Sequence, residues 1–389
     1  MKIGIMSIIE QIVFSSRFSV FALAALVVTI VVNGIWVAPA AERLWMLARD
    51  PYSNPFDNPK NEWLLDNYFL PWLAHHVVGA DLSLQSYVIF CLILFVLGIG
   101  VLTFFVHQRH GDFMARCMLI VFAVSPVSLV SFGWLGYVDF ITVFFGIILA
   151  FFWGEHLYTI AICSLVIGFS HAGQGMVIAA VSFLAHVAFA NSGTIRRNVS
   201  QLVVILVTIL SASFLLDVHL NSHGIYQSYD RFAYFHDVTV VLWKNILLVP
   251  GFLWYSLFGA VWILVVAWLQ EEASARSILI ICMAFMICFF VMLLNLDQTR
   301  VFSLLTFPVL LIVIRNWFLF DQERKCVTLR PVIVWMILGS LILPKMIVWN
   351  GKPYGSLLSH NIMIGVLWLQ GKDEINFHKN RWLNRAFGR

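Results

Sequence analysis

Long apolar runs, one after another, constrain this chain more than any other feature of its sequence. A run of about 17–25 apolar residues can cross a bilayer as a helix. Inside a bilayer the backbone polar groups need internal partners, so such runs are expected to be helical. The sequence therefore predicts an all-α polytopic membrane protein with about 11 transmembrane helices (10–12). The predicted spans are 18–38, 86–106, 116–135, 138–153, 157–170, 172–190, 200–217, 246–269, 277–295, 301–320 and 331–349.

Composition agrees with a membrane location and excludes several other classes of protein. Of the 389 residues, 61% are hydrophobic and 11% are charged, whereas soluble domains carry about 25% charged residues. The net charge of +4 is small and the basic residues lie in short clusters, so no nucleic-acid partner is predicted. The first run is interpreted as a retained helix and not a signal peptide, although the small residues of 38–41 leave a cleavage site open.

The basic residues of the loops predict the orientation of the chain, because cytoplasmic loops carry an excess of lysine and arginine. On the predicted map the following fall on one side, taken as the cytoplasm: Lys2, Arg17, those of 109–116, Arg196, Arg197, Arg276, Arg324, Lys325 and Arg330. An odd helix count places the basic tail at 372–389 outside. Either a further segment near 355–370 returns the tail, or one short helix is miscounted. The expected location is a bacterial inner membrane.

Two sizeable loops fall on the predicted outer side, which faces the periplasm or the exterior. The first loop, 39–85, carries the acids Asp50 and Asp66, and its residues 62–78 are predicted to form an amphipathic helix on the membrane surface. The second loop, 217–245, holds acids, histidines and interleaved tyrosines. The whole chain is interpreted as a single transmembrane domain with these two loops.

Polar residues also occur at two tight junctions between apolar runs. Asp139 follows the glycines of 133–136, and His171 and Gln174 lie within the segment 168–175. A histidine at a helix end is usually a satisfied interfacial residue. Here almost no loop is available to hydrate these side chains, and polar groups in that position are often functional.

The segment from Asn295 to Pro308 places an acid, Asp297, and a base, Arg300, between two long apolar runs. Ionised groups at membrane depth cost about 2.5–3.5 kcal/mol each even on mild insertion scales. A chain keeps them where they face a polar cavity, and arginine offers a planar fork of donors to a phosphate or carboxylate. The alternative is a short turn whose two charges reach the lipid headgroups and pair with each other.

The late segment Asp-Gln-Thr-Arg-Val-Phe, with Pro308 downstream, resembles a signature of integral-membrane glycosyltransferases of the GT-C fold. An acid-bearing loop after the first helix and a second acid between the third and fourth helices, Asp139, also fit that family. The resemblance implies a GT-C-like helix bundle that moves a sugar from a polyprenyl-phosphate carrier to a glycan or lipid-linked acceptor at the outer face. The first loop departs from the family because it has no two adjacent acids.

The resemblance also implies roles for individual residues. Asp50 is the expected general base, with Asp66 as the second choice, and Arg300, oriented by Asp297, is expected to hold the phosphate. The expected substrate-binding residues are Asp139, His171, Gln174, Asp297, Arg300 and Arg231.

No metal is predicted, although a divalent ion is compatible with the acids. The six cysteines lack the spacing of a metal site or a disulfide framework. His75 and His76 are adjacent, so on a helix their side chains diverge by about 100° and make a poor metal pair.

Three other functions stay open. An O-antigen polymerase or ligase also uses many helices and two large outer loops, but such enzymes use several outer-loop arginines and the 217–245 loop has only Arg231. A lipid or small-molecule transporter predicts interrupted helices in two related halves, and no internal repeat is evident. For an assembly subunit the sequence offers no positive sign.

Overall fold

A computed structural model describes residues 5–35, 37, 39–56, 59–155, 157–225, 250–271, 274–295, 297–320, 322–342, 345–349 and 352–355. This part of the chain forms fifteen α-helices, two 3-10 helices and one β-hairpin. The α-helices are α1 (Ile5–Ser15), α2 (Phe18–Asn33), α3 (Pro39–Arg49), α4 (Phe69–Val78), α5 (Leu84–His110), α6 (Asp112–Val124), α7 (Pro126–Gly133), α8 (Asp139–Phe152), α9 (Leu157–Ala188), α10 (Ser192–Ser222), α11 (Pro250–Phe258), α12 (Trp262–Glu271), α13 (Ala275–Leu293), α14 (Gln298–Phe320) and α15 (Gln322–Ile342). The 3-10 helices are Pro59–Asn67 and Gly259–Val261, and the strands are β1 (Met346–Trp349) and β2 (Lys352–Gly355).

Several of these helices are suited to a membrane. Among the described residues six helices are long and apolar enough to cross a bilayer, or up to eight if each of two bent pairs is one span. Large apolar side chains point outward from them: Leu97 of α5 is 61% exposed and Phe214 of α10 is 66% exposed. So much exposed apolar surface suits lipid and not water. The structure therefore supports an all-α multi-pass membrane protein, and the count of eleven spans stays a prediction.

Helix α14 lies at the centre of the bundle. Its most apolar 18 residues are 89% buried, compared with 28–50% in the other five unbent candidate spans of the described part. It contacts α8, α9 and α13. Its Pro308 packs so closely on α8 that a Cβ at Gly146 would lie 3.3 Å from the proline ring. The first turn of α14, which carries Arg300, is therefore held by the whole bundle.

Helix α9 reverses direction at His171, whose backbone is extended (φ −167°, ψ 72°) within this 32-residue segment. A straight helix would separate Leu157 from His186 by about 43 Å, at about 1.5 Å per residue. The ring of Trp153, four residues before Leu157, nevertheless stacks on His186 with the ring centroids 5.0 Å apart. The two halves of α9 therefore run antiparallel, and His171 lies at a tight junction between them.

Several of the predicted site residues lie at one end of the bundle, where α2 ends and α8 and α14 begin; we call it the site end. The first loop covers this end through α3, the 3-10 helix Pro59–Asn67 and α4. Helix α3 packs on the other two, and both of those pack on α9. Helix α10 also ends here, because His219 near its end lies 2.9 Å from the hydroxyl of Tyr68.

Two predicted spans differ from the structure because prolines interrupt them. The span 116–135 is broken at Ser125, where α6 and α7 meet at 65°. Ser125 is extended (φ −77°, ψ 160°), as a residue before proline prefers, and Pro126 begins a new helix. The span 331–349 is helical only to Ile342, and its last residues form β1. The sequence has Pro344 just after that helix, and proline cannot continue a helix.

Both predicted loops differ in part from the structure. The amphipathic helix expected over 62–78 is divided at Tyr68 into a 3-10 helix and α4. Tyr68 is held there because its hydroxyl donates to the carbonyl of Pro51 at 2.9 Å. The second predicted loop begins inside α10, which continues to Ser222, and its residues 226–245 lie outside the described part of the chain.

Candidate functional site

Arg300 lies between two carboxylates at the site end. Its Nη1 donates to Oδ1 and Oδ2 of Asp139 at 3.3 and 3.4 Å, and its Nε lies 3.1 Å from Oδ2 of Asp297. The side chain of Arg300 is 11% exposed, that of Asp139 1% and that of Asp297 21%. Asp139 begins α8, and Asp297 directly precedes α14. Three predicted site residues therefore meet, two of them 161 positions apart, and the ionised cluster carries a net charge of −1.

The loop before α8, which positions Asp139, is held from several sides. The hydroxyl of Tyr87 donates to the carbonyl of Gly136 at 3.0 Å, and Leu135 forms a parallel bridge with Val37. Gly136 has φ +86°, and a Cβ there would lie 2.6 Å from the Cβ of Ala41. Only glycine fits this backbone conformation and this spacing without strain. The first loop and α5 thus fix the position of the acid.

An aromatic wall flanks Arg300. The guanidinium carbon lies 4.9 Å from the ring centroid of Tyr137, within the range of a cation–π contact. The ring of Trp63, on the 3-10 helix of the first loop, lies 6.3 Å from that of Tyr137. Sequence reasoning did not single out these two residues. The available signal was the position of Tyr137 between Gly136 and Asp139.

Gln174 of α9 lies close to the cluster of Arg300, Asp139 and Asp297, because it contacts α8 one turn beyond Asp139. The hydroxyl of Thr142 donates to Oε1 of Gln174 at 3.1 Å. Thr142 is three residues beyond Asp139 on α8, so the two share a helix face. His171, three residues before Gln174, lies at the junction of the two halves of α9. Both predicted residues of α9 thus belong to the site end.

The predicted base Asp50 caps a turn in the first loop. Its Oδ1 accepts from the N–H of Tyr52 at 3.1 Å and its Oδ2 from the hydroxyl of Ser53 at 2.7 Å. A side chain that bonds the backbone two residues later forms an Asx turn. Asp50 is exposed, so the geometry gives it a structural role, and its catalytic role stays a prediction.

The second-choice base, Asp66, lies on the same 3-10 helix as Trp63. Three residues make one turn of such a helix, so the two side chains lie above one another. Asp66 is also an electrostatic neighbour of Asp217 on α10. The predicted substrate-binding residue Arg231 lies outside the described part of the chain.

Sequence reasoning did not foresee a cluster of imidazoles around Tyr52. Its ring lies 5.3–6.4 Å from the rings of His75, His76, His219 and His223. The rings of the adjacent His75 and His76 contact each other, with centroids 5.1 Å apart, but they face different partners. Nδ1 of His75 lies 2.9 Å from the carbonyl of Ala48, and Nε2 of His76 lies 3.1 Å from the hydroxyl of Tyr52. In the described part of the chain no three His, Cys, Asp or Glu side chains are placed to hold a metal ion.

Asp297 has the properties of a proton acceptor. One of its oxygens faces Arg300, and the other, Oδ1, is buried without a hydrogen-bond partner among the described residues. Burial raises the pKa of Asp297, and the charge of Arg300 opposes this shift. A carboxylate with a raised pKa and an unoccupied oxygen is suited to receive a proton.

Lys345, between α15 and β1, is a second cation at the site end that sequence reasoning missed. Its Nζ donates to Oδ1 of Asn33 at 2.7 Å, to the carbonyl of Ala123 at 2.6 Å and to the hydroxyl of Ser128 at 3.2 Å. Burial lowers the pKa of Lys345 to about 7. The lysine joins the end of α2 to the break between α6 and α7.

Comparison of the chain with protein-family models, with curated proteins and with solved structures finds no match.

Proposed function

We propose that the protein is a membrane glycosyltransferase that takes a sugar from a polyprenyl-phosphate carrier and attaches it to a cell-envelope glycan or lipid-linked acceptor at the outer face. The observation that carries the proposal is the meeting of Arg300, Asp139 and Asp297 at one end of an apolar helix bundle. A buried arginine between acids is costly to maintain, and phosphate recognition gives a reason for it.

Arg300 is assigned to the phosphate of the carrier. Its contacts with Asp139, at 3.3 and 3.4 Å, are longer than the roughly 2.7–2.9 Å of strong charge-assisted bonds. A phosphate is therefore able to compete with Asp139 for Nη1. As the sugar leaves, negative charge grows on the phosphate, and a fixed guanidinium in a site that is largely shielded from water stabilises it.

Asp297 is assigned as the general base, ahead of Asp50 and Asp66, because its Oδ1 is unoccupied beside Arg300. The acceptor hydroxyl oxygen forms the new bond to the anomeric carbon, and its proton moves to Asp297. The bond from that carbon to the phosphate oxygen breaks, and the lipid phosphate leaves with the electron pair. Trp63, which is partly exposed, offers an apolar ring face to the sugar, and Tyr137 is buried against Arg300.

The test is a deletion strain of the source organism, complemented with variants, whose surface and lipid-linked glycans are measured by mass spectrometry. Arg300→Lys keeps the charge but removes the planar fork, and we expect it to reduce transfer at least about 100-fold, as loss of one oxyanion donor does. The matched control is Arg315→Lys, on the same helix at its other end, where Arg315 pairs with Glu155 at 3.4 Å.

The glycan profile separates the functions. Loss of one sugar supports a transferase, whereas shortened chains of complete repeats indicate a polymerase and refute the proposal. An unchanged profile refutes both and directs attention to transport, to which the break at Ser125 and the reversal at His171 would then be relevant. Asp297→Asn, Asp50→Asn and Asp66→Asn in the same assay identify the base.

A further inference from the structure

An apolar groove of about 270 Å³ runs along α2 on the flank of the bundle. Its walls are α2, α6 and α15, and its lining extends from Ile12 and Ser16 at one end to Lys345 at the site end. The 16 residues of α2 correspond to about 24 Å of helix. Exposed Val20 and Val28, at 59% and 54%, border the groove, so it opens toward the surrounding lipid.

Lys345 gives this groove one charged end. Its three ammonium protons point to oxygens of neutral groups, and no carboxylate pairs with it in the described part of the chain. The three oxygens solvate the charge but do not neutralise it. A cation at the end of a groove that is otherwise almost wholly apolar is complementary to a molecule with one anionic end and one hydrocarbon chain.

We propose that this groove binds one acyl chain of an anionic phospholipid, with the phosphate of its headgroup beside Lys345. The site goes beyond the proposed glycosyl transfer and is separate from Arg300. A reacting phosphate needs donors that are fixed and unoccupied, whereas all three N–H groups of Lys345 already donate to protein oxygens. Attraction by charge alone suits a bound phospholipid and not a carrier that must react.

The bound lipid would act near the candidate active site through the β-hairpin. Lys345 directly precedes β1, and the N–H of Val348 in β1 donates to the hydroxyl of Thr299 at 2.8 Å. Thr299 immediately precedes Arg300 in α14 and donates to Ser256 at 2.7 Å. The lipid headgroup, the hairpin and the first turn of α14 thus form one connected chain of contacts.

The test measures lipid retained by the purified full-length protein. The protein is reconstituted in nanodiscs of phosphatidylcholine with one fifth phosphatidylglycerol, extracted into detergent, and its bound lipids are counted by native mass spectrometry. The variant Val28→Phe fills the groove. Val101→Phe is the matched control, because Val101 on α5 is a valine of similar exposure, 52%, that does not line it. We expect Val28→Phe to lose most of the retained phosphatidylglycerol and Val101→Phe to keep it.

Lys345→Gln tests the charge and keeps polar contacts. We expect it to reduce the preference for phosphatidylglycerol over phosphatidylcholine by about fivefold, which is what one lysine near an anionic membrane surface contributes. Equal retention by the two valine variants, or no lipid preference in the unmodified protein, would overturn the proposal. A retained polyprenyl phosphate in protein purified from its source membrane would also overturn it and would assign the groove to the carrier. If the glycan assay fails but phosphatidylglycerol is retained, only the glycosyltransferase proposal falls.

Discussion

Replacing Arg300 with methionine tests whether the buried ion-pair cluster is placed as described. The change leaves Asp139, 1% exposed, without its cation. Removing one partner of a buried pair costs about 3–5 kcal/mol, because the other charge stays buried and uncompensated. In Asp139→Asn, by contrast, Arg300 keeps its contact with Asp297. We expect that variant to lower the free energy of unfolding by about 1–3 kcal/mol, the cost of one unsatisfied buried contact.

The double variant Asp139→Asn/Arg300→Met decides the interpretation. When both charges are absent nothing is left uncompensated, so we expect its cost to be below the sum of the single variants by about 0.5–3 kcal/mol. The assay is denaturant unfolding in detergent micelles, followed by tryptophan fluorescence. Arg109→Met is the control: Arg109 is 49% exposed and lies 2.7 Å from Glu155, and an exposed pair contributes about 0–1 kcal/mol. Additive costs, or an Arg300→Met cost no larger than the control, would refute the reasoning.

Three other variants test single features of the site end. If Asp297 is the base, we expect activity to fall as the pH decreases, beginning at a pH above the ordinary aspartate pKa of about 4. The reason is that burial raises the pKa of Asp297 and the base form is lost below that pKa. A pH–rate profile measures this, and an acid limb that persists in Asp297→Asn contradicts the assignment. Gly136→Ala should cost about 1–3 kcal/mol of stability because of its positive φ, whereas Gly133→Ala, with open space around its Cβ, should be nearly neutral in the same unfolding assay. Thr299→Val removes the acceptor of the Val348 N–H and should cost about 1–3 kcal/mol and increase amide hydrogen exchange at Val348; unchanged exchange would argue against that contact.

The sequence was informative about which distant residues share a side of the membrane, because counting the predicted helices assigns each junction to a side. Asp139 and Arg300 were both assigned to the same side because an even number of predicted membrane crossings separates them along the chain. The burial cost of ions then indicated that neither side chain faces lipid. No argument from the sequence gives the distance between them, because that depends on how α8 and α14 pack around Gly146 and Pro308.

Three features were not predicted from the sequence, because they depend on local backbone conformation or on packing between distant parts of the chain. The β-hairpin was missed because 331–349 is mostly apolar and was interpreted as one span, although the sequence has a proline at 344 and proline cannot continue a helix. Lys345 was missed because its partners Asn33 and Ser128 come from helices far apart in the chain. In the sequence alone, an aspartate that caps a turn cannot be told from a catalytic aspartate. Only the hydrogen bonds of Asp50 with Tyr52 and Ser53 indicate its structural role.

The enclosure of α14 by its neighbours limits which parts of the protein are free to move. A helix surrounded on nearly every face cannot tilt or slide without repacking the bundle, so the backbone at Arg300 keeps a fixed position. If the protein is the proposed transferase, we expect opening and closing to come from the layer that covers the site end, which includes the 3-10 helix with Trp63. A cross-link that ties this layer to α14 should trap bound substrate, whereas one inside the bundle should leave turnover intact.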